Sequence, residues 1–454
     1  MLYAVLKLIY LIGLRVFFKE LEVRHRTLMP QQGPLLIVSN HPNTFMDPVV
    51  IAAQLKQSVY FIAKSTVFGS KLQNWLLRKM HLIPIHRRED NPEGQPISNE
   101  QAFAATFKAL EQQRTLIIFP EGNSFNQRRL RKIKTGTARI ALSAAANAGL
   151  DVQILPVGLN YTAPTRFRSS VFVNVGKPIN VADYAKRYKA DGPAAVLALT
   201  EEIRHRLEKL VINTPTEEED ELARNIEAIY KEQLLGTAPV AATAHEKEFL
   251  LTRGIIKSIN YFSQIQPERV AATKQKIKNY VLQLHRLHLQ DTLMGQGKRS
   301  VLWQSIKLTA YLVMGLPVYV FGLLHNYVPY IIPSKVAKAV TSEEEWYAPI
   351  MLTVGIFTFP LAYIAEVWLL SEMWQPSALA LLLYLLTLPF SGFFALHYWS
   401  TLKHTQAHWA LLRLFSKRQL LVNRLQQQRQ EIRQELERAR QEYLREISLH
   451  QKPA

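Results

Sequence analysis

The sequence predicts an α/β domain with a mixed, largely parallel sheet flanked by helices, followed by a helical middle region and C-terminal membrane helices. Three observations lead to this prediction. Short apolar runs alternate with helical stretches in the first half of the chain, the next stretch is polar and helical, and three long apolar segments follow. The 454 residues are sufficient for several domains.

Residues 1–20 are predicted to form a helix at the membrane interface. The run MLYAVLKLIYLIGLRVFF is apolar apart from Lys7 and Arg15. A run of this length lies at the lower limit for crossing a bilayer, so we expect the helix to lie in the interface or dip into it. An ordinary helix of the protein core is the alternative.

Residues 21–215 carry the α/β pattern. Five apolar runs have the length and composition of buried strands: PLLIVS, VYFIAK, TLIIFP, VQILPVGLNY and VFVNVG. Helical stretches such as DPVVIAAQL and NEQAFAATFKALEQQ lie between them. This alternation is typical of one globular domain with a largely parallel sheet.

Residues 216–304 are predicted to be a helical insertion or linker. The stretch opens at TPTEEEDEL, whose acidic residues stabilise the first turn of a helix, and continues as mostly polar sequence. Its AHEKEF motif begins like a zinc-protease helix, but Phe249 occupies the position of the second histidine. We expect no metal site.

Residues 305–400 are predicted to be embedded in the membrane. Three apolar segments in this region are each long enough to cross a bilayer, and Trp and Tyr residues lie near their ends, as is typical of the membrane interface. The segments are residues 306–333, 348–370 and 377–399. The chain is therefore expected to be a multi-pass membrane protein.

The distribution of Lys and Arg predicts which segments cross. The α/β domain and the basic polar helix predicted for residues 401–454 are both rich in these residues, so the positive-inside rule places both in the cytoplasm. Three crossings would separate them. We therefore expect segment 306–333, which contains Pro317 and Pro329, to be a re-entrant or interfacial hairpin and the other two segments to span. The lack of cysteine and of a retention signal favours a bacterial inner membrane.

The basic polar helix carries a thin apolar stripe that includes Leu425, Ile432, Leu436 and Tyr443. This pattern favours a surface or self-associating helix over a nucleic-acid-binding arm, because acidic residues are interleaved with the basic ones. Self-association through this helix would make the protein a homo-oligomer.

The composition limits the chemistry. A formal net charge of +19 predicts an anionic partner, which could be nucleic acid, anionic lipid or a phosphorylated substrate. Nucleic acid is not expected, because the basic residues are dispersed and the aromatic residues concentrate in the membrane segments. The chain has no cysteine, which excludes disulfides, thiolate zinc sites and a cysteine nucleophile.

Four short blocks follow one another in the α/β domain. The first is NHPNTFMDP, with His41 and Asp47, and the second is LIPIHRRED, with Arg87. The third runs from FPEGNSF to RLRKIKTG, and the fourth is LPVGLNY. Each block taken singly is typical of ordinary turns and solvated faces, so the functional prediction depends on the ordered set.

The blocks combine a base with groups that can hold a phosphate. His41, oriented by Asp47, can act as a general base toward a hydroxyl, while Arg87 and the basic run that ends at Lys134 can hold a phosphate. In a chain with membrane segments this predicts a hydroxylated, phosphorylated, lipid-related acceptor. The nearest match to a nucleophile elbow is GNSFN, where Asn126 replaces the closing glycine, so we expect direct attack without an acyl-enzyme.

The ordered blocks resemble those of the phospholipid/glycerol acyltransferase family, which esterifies glycerol 3-phosphate and lysophosphatidate. The resemblance extends from about residue 30 to residue 215 and implies a glycerolipid acyltransferase-like fold. It also implies that His41 is the base, that Asp47 orients it and that Arg87 contacts the acceptor phosphate.

The same resemblance assigns further binding residues. It places Glu121 and Gly122 in the acceptor site, extends the third block through Lys134 and Gly136, and implies that the fourth block, around Pro156, shapes the acyl-donor side. It implies no cofactor. The co-substrate is expected to be acyl-CoA or acyl carrier protein, and the partners a phosphorylated glycerol acceptor and membrane lipid.

The first block departs from the usual pattern of the family. Five residues separate His41 from Asp47, where the family usually has four. The form His-x-Asn-x-Phe-x-Asp-Pro resembles the branch of glycerol 3-phosphate and dihydroxyacetone phosphate acyltransferases with C-terminal membrane segments. A loop can accommodate the added residue, and Asn43, also a candidate for substrate binding, is the alternative partner of the imidazole.

The functional hypothesis is a membrane-bound O-acyltransferase that moves a fatty acyl group to glycerol 3-phosphate or lysophosphatidate. The choice between these two acceptors stays open, as do another lysolipid or an amino-lipid. A non-catalytic membrane scaffold is the alternative from a different class. The block set favours the enzyme, because a scaffold needs no histidine and aspartate beside a phosphate clamp.

Overall fold

The computed structural model describes residues 2–30, 33–86, 99–235 and 243–450. The chain divides into two compact units. The first comprises residues 1–213 with residues 332–357, and the second comprises residues 214–331 with residues 358–454.

The first unit contains an eight-stranded sheet. The strands are β1 Glu20–Arg24, β2 Leu35–Ser39, β3 Val59–Lys64, β4 Leu82–Ile85, β5 Thr115–Ile118, β6 Gln153–Tyr161, β7 Ser170–Val175 and β8 Ile179–Asn180. Their order is β1-β7-β6-β2-β5-β3-β4, and β8 pairs with β6. Strands β2 to β6 pair in parallel, whereas β7 and β8 run antiparallel to β6. The predicted mixed, largely parallel sheet flanked by helices is confirmed.

In the described part of residues 1–213, seven α-helices accompany the sheet. They are α1 Leu2–Phe17, α2 Met46–Ala52, α3 Lys71–Lys79, α4 Glu100–Glu111, α5 Gly136–Asn147, α6 Ala182–Ala190 and α7 Gly192–Leu210. Because successive side chains of a strand point to opposite faces, β2 supplies Leu36 and Val38 to one core cluster and Leu35 and Ile37 to the other. Helices α4, α5 and α7 cover the first face, and α1 and α2 cover the second.

The strand order determines where the loops of the four blocks meet. Strands β6, β2 and β5 are neighbours and parallel, so their carboxyl ends lie at one edge of the sheet. The residues that follow β2 and β5, and the last residue of β6, therefore converge there. In open α/β sheets this edge is where ligands bind.

The second unit is helical. Its helices are α8 Glu217–Leu235, α9 Ala244–Ile265, α10 Pro267–Arg286, α11 Asp291–Met294, α12 Lys298–Val340, α13 Tyr347–Trp374, α14 Ala378–Lys417 and α15 Gln419–His450, of which α12 and α13 continue into the first unit.

Helix α15 packs against other helices of the second unit. Its Arg429 forms an ion pair with Asp291 at 2.9 Å, and its Leu425 and Ile432 are buried. Part of the apolar stripe of α15 thus packs within its own chain, and self-association through this helix stays a prediction.

Among the residues that the structure describes, three helices are long and apolar enough to cross a membrane, at residues 298–340, 344–374 and 378–417. Segment 306–333, for which the sequence predicted a re-entrant hairpin, runs without a turn inside α12. Prolines are tolerated in such helices when neighbours bond the freed backbone groups. Pro333 cannot donate to the carbonyl of Pro329, and the Thr358 hydroxyl donates to that carbonyl at 3.3 Å instead. The number of segments that cross stays a prediction.

Replacing Gly158 of β6 by alanine tests how closely α7 packs on the sheet. A Cβ on Gly158 would overlap the Leu210 carbonyl at the end of α7, which accepts a hydrogen bond from Asn160 at 3.0 Å. We expect Gly158→Ala to destabilise the first unit by about 1–3 kcal/mol, because the backbone must shift. In detergent, the apparent Tm should fall by about 2–10 °C.

Gly192→Ala is the matched control, because its Cβ would make an ordinary contact with Tyr188 at 3.6 Å. An equal Tm for the two alanine variants would contradict the close approach of α7 to β6.

Candidate active site

His41 and Asp47 are in direct contact at the carboxyl edge of the sheet. Strand β2 ends at Ser39, and the Asn40 side chain exchanges two hydrogen bonds, of 2.9 and 2.8 Å, with the backbone of Leu159. These bonds hold the loop against β6. Asp47 lies in the first turn of α2, and its Oδ2 is 2.8 Å from Nδ1 of His41. The five-residue spacing therefore still permits the pair to form.

The Asp47 carboxylate is fully buried and accepts three hydrogen bonds. Besides the imidazole, the backbone N–H of Asn43 donates to Oδ2 at 2.8 Å and the Tyr161 hydroxyl donates to Oδ1 at 2.7 Å. Burial raises the pKa of the Asp47 carboxyl, while these three hydrogen bonds act in the opposite direction. An ionised carboxylate has only acceptor atoms, so opposite an ionised Asp47 the ring nitrogen that carries the proton is Nδ1 of His41.

Asn43 contributes its backbone to this network. Its side-chain amide donates to the carbonyl of Pro164 at 3.0 Å, and the side chain is buried. The arrangement in which the Asn43 side chain holds the imidazole is therefore not the one found, because Asp47 occupies Nδ1. The side chain fixes the loop to the segment that follows β6.

The residues after β5 support His41 from a second side. Phe119 stacks on the imidazole with ring centroids 3.9 Å apart. Glu121 Oε1 accepts the backbone N–H of His41 at 2.9 Å, and Oε2 accepts the N–H of Arg131 at 2.9 Å. Burial raises the pKa of the Glu121 carboxyl, and the two N–H donors lower it. Glu121, predicted in the acceptor site, thus ties the His41 loop to the basic run.

Gly122 and Lys134 are also brought together. Gly122 has a φ of 83°, and Nζ of Lys134 lies 2.7 Å from the position that a Cβ on Gly122 would occupy. The backbone N–H of Lys134 donates to the Pro120 carbonyl at 2.8 Å. Glycine here allows both the left-handed backbone and the passage of the lysine side chain. Gly136, at the first turn of α5, lines the same cavity.

A cavity of about 1270 Å³ adjoins this network within the first unit. It is larger than most small-molecule pockets. His41 lines it, with 18% of the side chain exposed. Its apolar walls come from α1, α2, β3, α3 and α4, and its cationic side chains are Lys7, Lys64, Lys134 and Arg139. It can therefore hold a long apolar group and a phosphate.

The connection between α12 and α13 forms part of the cavity wall. Thr44, whose φ is 36°, donates its hydroxyl to the Glu345 carbonyl at 3.0 Å. The Asn126 amide donates to the carboxylate of Glu344 at 2.9 Å, and Trp346 lies against Phe45 with ring centroids 6.0 Å apart. Residues far along the chain thus hold the loop between His41 and Asp47 in place.

One predicted binding residue, Pro156, is not brought to this network, and a second cannot be placed relative to it. Arg87 lies outside the described residues. Pro156 is buried in the middle of β6, opposite Val38 of β2, and is not part of the cavity lining. Its position is that of a residue of the sheet core.

Two residues of the network were missed by the sequence prediction. Tyr161 ends the fourth block, and Phe119 opens the third, but neither was assigned a role. Their positions carried a signal, because β6 ends at Tyr161 and Phe119 directly follows β5. In the ranges that the structure describes, no group of three or more His, Asp or Glu side chains is placed to hold a metal ion.

Comparison with known proteins gives a family model and several relatives. The sequence model of the family described as Acyltransferase matches residues 20–160. An uncharacterized acyltransferase of Schizosaccharomyces pombe is 23% identical over 363 residues, which are 61% of this chain and 52% of that protein. Glycerol-3-phosphate O-acyltransferase 1 of Saccharomyces cerevisiae is 22% identical over 396 residues, which are 66% of this chain and 51% of that protein. The chain spans about half the length of these relatives.

Among solved structures, the chain is similar to the 1-acyl-sn-glycerophosphate (LPA) acyltransferase of Thermotoga maritima. The identity is 22%, the TM-score is 0.31, and the match covers 44% of this chain and 80% of that chain.

Replacing Glu121 tests whether it holds the His41 loop. In Glu121→Gln the neutral amide offers one acceptor oxygen, so one of the two backbone N–H groups loses its acceptor and the other keeps only an uncharged one. At about 1.5–3 kcal/mol for such a bond, exchange of the His41 and Arg131 amides should become about 10–100-fold faster. Hydrogen exchange with mass spectrometry measures this.

The control for this variant is Glu111→Gln, at the exposed end of α4. Unchanged protection of the His41 and Arg131 amides in Glu121→Gln would show that Glu121 does not hold the loop.

Proposed function

From the acyltransferase-family domain that residues 20–160 carry, we propose that the chain is a membrane-bound O-acyltransferase. It moves a fatty acyl group from a thioester donor, acyl-CoA or acyl carrier protein, to a hydroxyl of glycerol 3-phosphate or lysophosphatidate. The contact of 2.8 Å between His41 and the buried Asp47, beside a cavity with apolar walls and cationic side chains, carries this proposal.

His41 acts as the general base. Because Nδ1 is bonded to Asp47, Nε2 keeps its lone pair for the acceptor hydroxyl. Nε2 removes the hydroxyl proton as the oxygen attacks the thioester carbonyl. The tetrahedral intermediate then expels the thiolate, which takes the proton from the imidazolium. Asp47 stabilises the imidazolium between the two steps, and the base returns to its starting state.

The acceptor phosphate is bound by the cations at the cavity. Lys134 and Arg139 both line it, and the backbone of Lys134 is held by Pro120. Arg87 remains a proposed phosphate contact. The apolar wall formed by α1 and α3 receives the acyl chain. The name of the Saccharomyces cerevisiae relative makes glycerol 3-phosphate the first acceptor to test.

The location in the cell is part of the proposal. The helices at residues 298–340, 344–374 and 378–417 support a membrane location. The abundance of Lys and Arg in residues 21–215 and 401–454 supports a cytoplasmic catalytic domain. A bacterial inner membrane stays an expectation from composition.

An acyl-transfer assay tests the proposal. Detergent-solubilised protein is incubated with labelled palmitoyl-CoA or palmitoyl-acyl carrier protein, and with either glycerol 3-phosphate or lysophosphatidate. The wild type should label one acceptor, and His41→Ala should lose about 10²–10⁴-fold of the rate, as expected for a general base.

The control for this assay is His25→Asn. His25 is exposed and has a φ of 56°, which asparagine adopts readily. Full activity of His41→Ala would exclude the base assignment. If the wild type labels neither acceptor with either donor, another lysolipid, an amino-lipid or a scaffold role replaces the glycerolipid proposal.

Tyr161→Phe tests the role of the hydroxyl that bonds Asp47. This hydrogen bond lowers the pKa of the Asp47 carboxyl, so its removal raises that pKa. A protonated Asp47 no longer accepts from Nδ1 of His41. The acid limb of the profile of kcat against pH should therefore move to higher pH, with most of the rate restored at alkaline pH. An equal loss at all pH values would indicate a role for Tyr161 other than tuning Asp47.

A further inference from the structure

Two helices of the first unit, α1 and α3, flank the cavity beside His41. Tyr3, Leu6 and Tyr10 of α1 line one part of the wall, and Leu77 with Met80, which follows α3, lines another. Each helix therefore has one face directed toward the cavity.

A neighbouring face of α3 is apolar and exposed. Leu72 is 74% exposed, Trp75 54% and Leu76 38%. Their spacing of three and four residues places them on one side of the helix. Large apolar side chains that are exposed together on a short helix need a partner to cover them.

The outward face of α1 has the same character. Its exposed side chains are Leu2, Val5, Leu8, Ile9, Ile12 and Val16. The exposed cations Lys71, Arg78 and Lys79 accompany the apolar stripe of α3. Apolar residues on one face with Lys and Arg beside them are typical of helices that lie in the interface of an anionic bilayer.

Stacked rings connect the two helices. His81, two residues after α3, stacks on Tyr3 of α1 with centroids 4.9 Å apart and on Tyr60 of β3 at 4.5 Å. The start of α1 and the end of α3 are thus attached to the same strand. A contact of α3 with a bilayer would be continuous with the one expected for α1.

We propose that α3 is a second membrane-contact helix. Leu72, Trp75 and Leu76 insert into the boundary between head groups and acyl chains, while Lys71 and Arg78 contact lipid phosphates. The mouth of the cavity between α1 and α3 then faces the hydrocarbon, so that an acyl chain enters from the bilayer. The entry of the chain rests on the proposed function, whereas the contact of α3 with the bilayer does not.

The lack of native cysteine allows a direct test with the full chain. Leu72→Cys is labelled with a thiol-reactive NBD fluorophore and reconstituted into vesicles of phosphatidylcholine, with and without phosphatidylglycerol. Quenching by lipids brominated on the acyl chain reports hydrocarbon contact, and quenching by aqueous iodide reports contact with water.

The matched control is Ala190→Cys, the exposed last residue of α6. Helix α6 packs against the core cluster on the other face of the sheet from α1. We expect brominated lipid to quench the label at position 72 several-fold more than the label at position 190, and iodide to show the reverse.

Three results would overturn or limit the proposal. Equal iodide quenching at positions 72 and 190 would place α3 in water and overturn it. A label shielded from both quenchers would indicate a protein partner on α3 instead, which also overturns the proposal.

The contact with lipid phosphates is tested separately. It is wrong if insertion is equal in neutral and anionic vesicles and if the double variant Lys71→Gln with Arg78→Gln inserts as well as the wild type. An inactive protein with an inserted α3 would contradict the proposed function alone.

Discussion

The buried carboxylate of Asp47 is the constraint on which the site depends. Asp47 lies at the start of α2. Its two carboxylate oxygens bind the loop after β2, through His41 and Asn43, and the end of β6, through Tyr161, so that three parts of the fold meet at this side chain. A buried carboxylate with fewer donors would cost free energy, so the loop and the strand must keep their relative positions. The orientation of the imidazole follows from this requirement.

Glu121 holds the main chain of the His41 loop, as Asp47 holds the His41 ring. Its carboxylate accepts N–H groups from both the His41 loop and the basic run, while Phe119 covers the imidazole. His41 is thus fixed through its ring by Asp47 and through its main chain by Glu121. Such preorganisation means that little reorganisation is needed when an acceptor arrives. The parallel order β6-β2-β5 is what brings the parts together.

The sequence was sufficient to predict the sheet and the His41–Asp47 pair, because strand-like runs and an ordered motif are local signals. It did not reveal Tyr161 as a partner of Asp47, since that contact depends on β6 lying beside β2. The wall contributed by Glu345 is about 300 residues away from Thr44 along the chain, and no local pattern encodes that contact. Segment 306–333, for which a re-entrant or interfacial hairpin was expected, is part of the continuous helix α12. The Pro329 carbonyl, which Pro333 leaves without a backbone donor, accepts from Thr358, and proline counts alone do not show such a tertiary contact.

The tautomer of His41 decides whether this residue can act as the general base. Nitrogen-15 NMR of histidine-labelled protein in lipid bilayers, with the His41→Gln spectrum subtracted, reports which ring nitrogen carries the proton when the ring is neutral. We expect a protonated Nδ1, bonded to Asp47, and an unprotonated Nε2 directed toward the cavity. A neutral imidazole with its proton on Nε2 would contradict the account, because the nitrogen that faces the acceptor could not then act as a base.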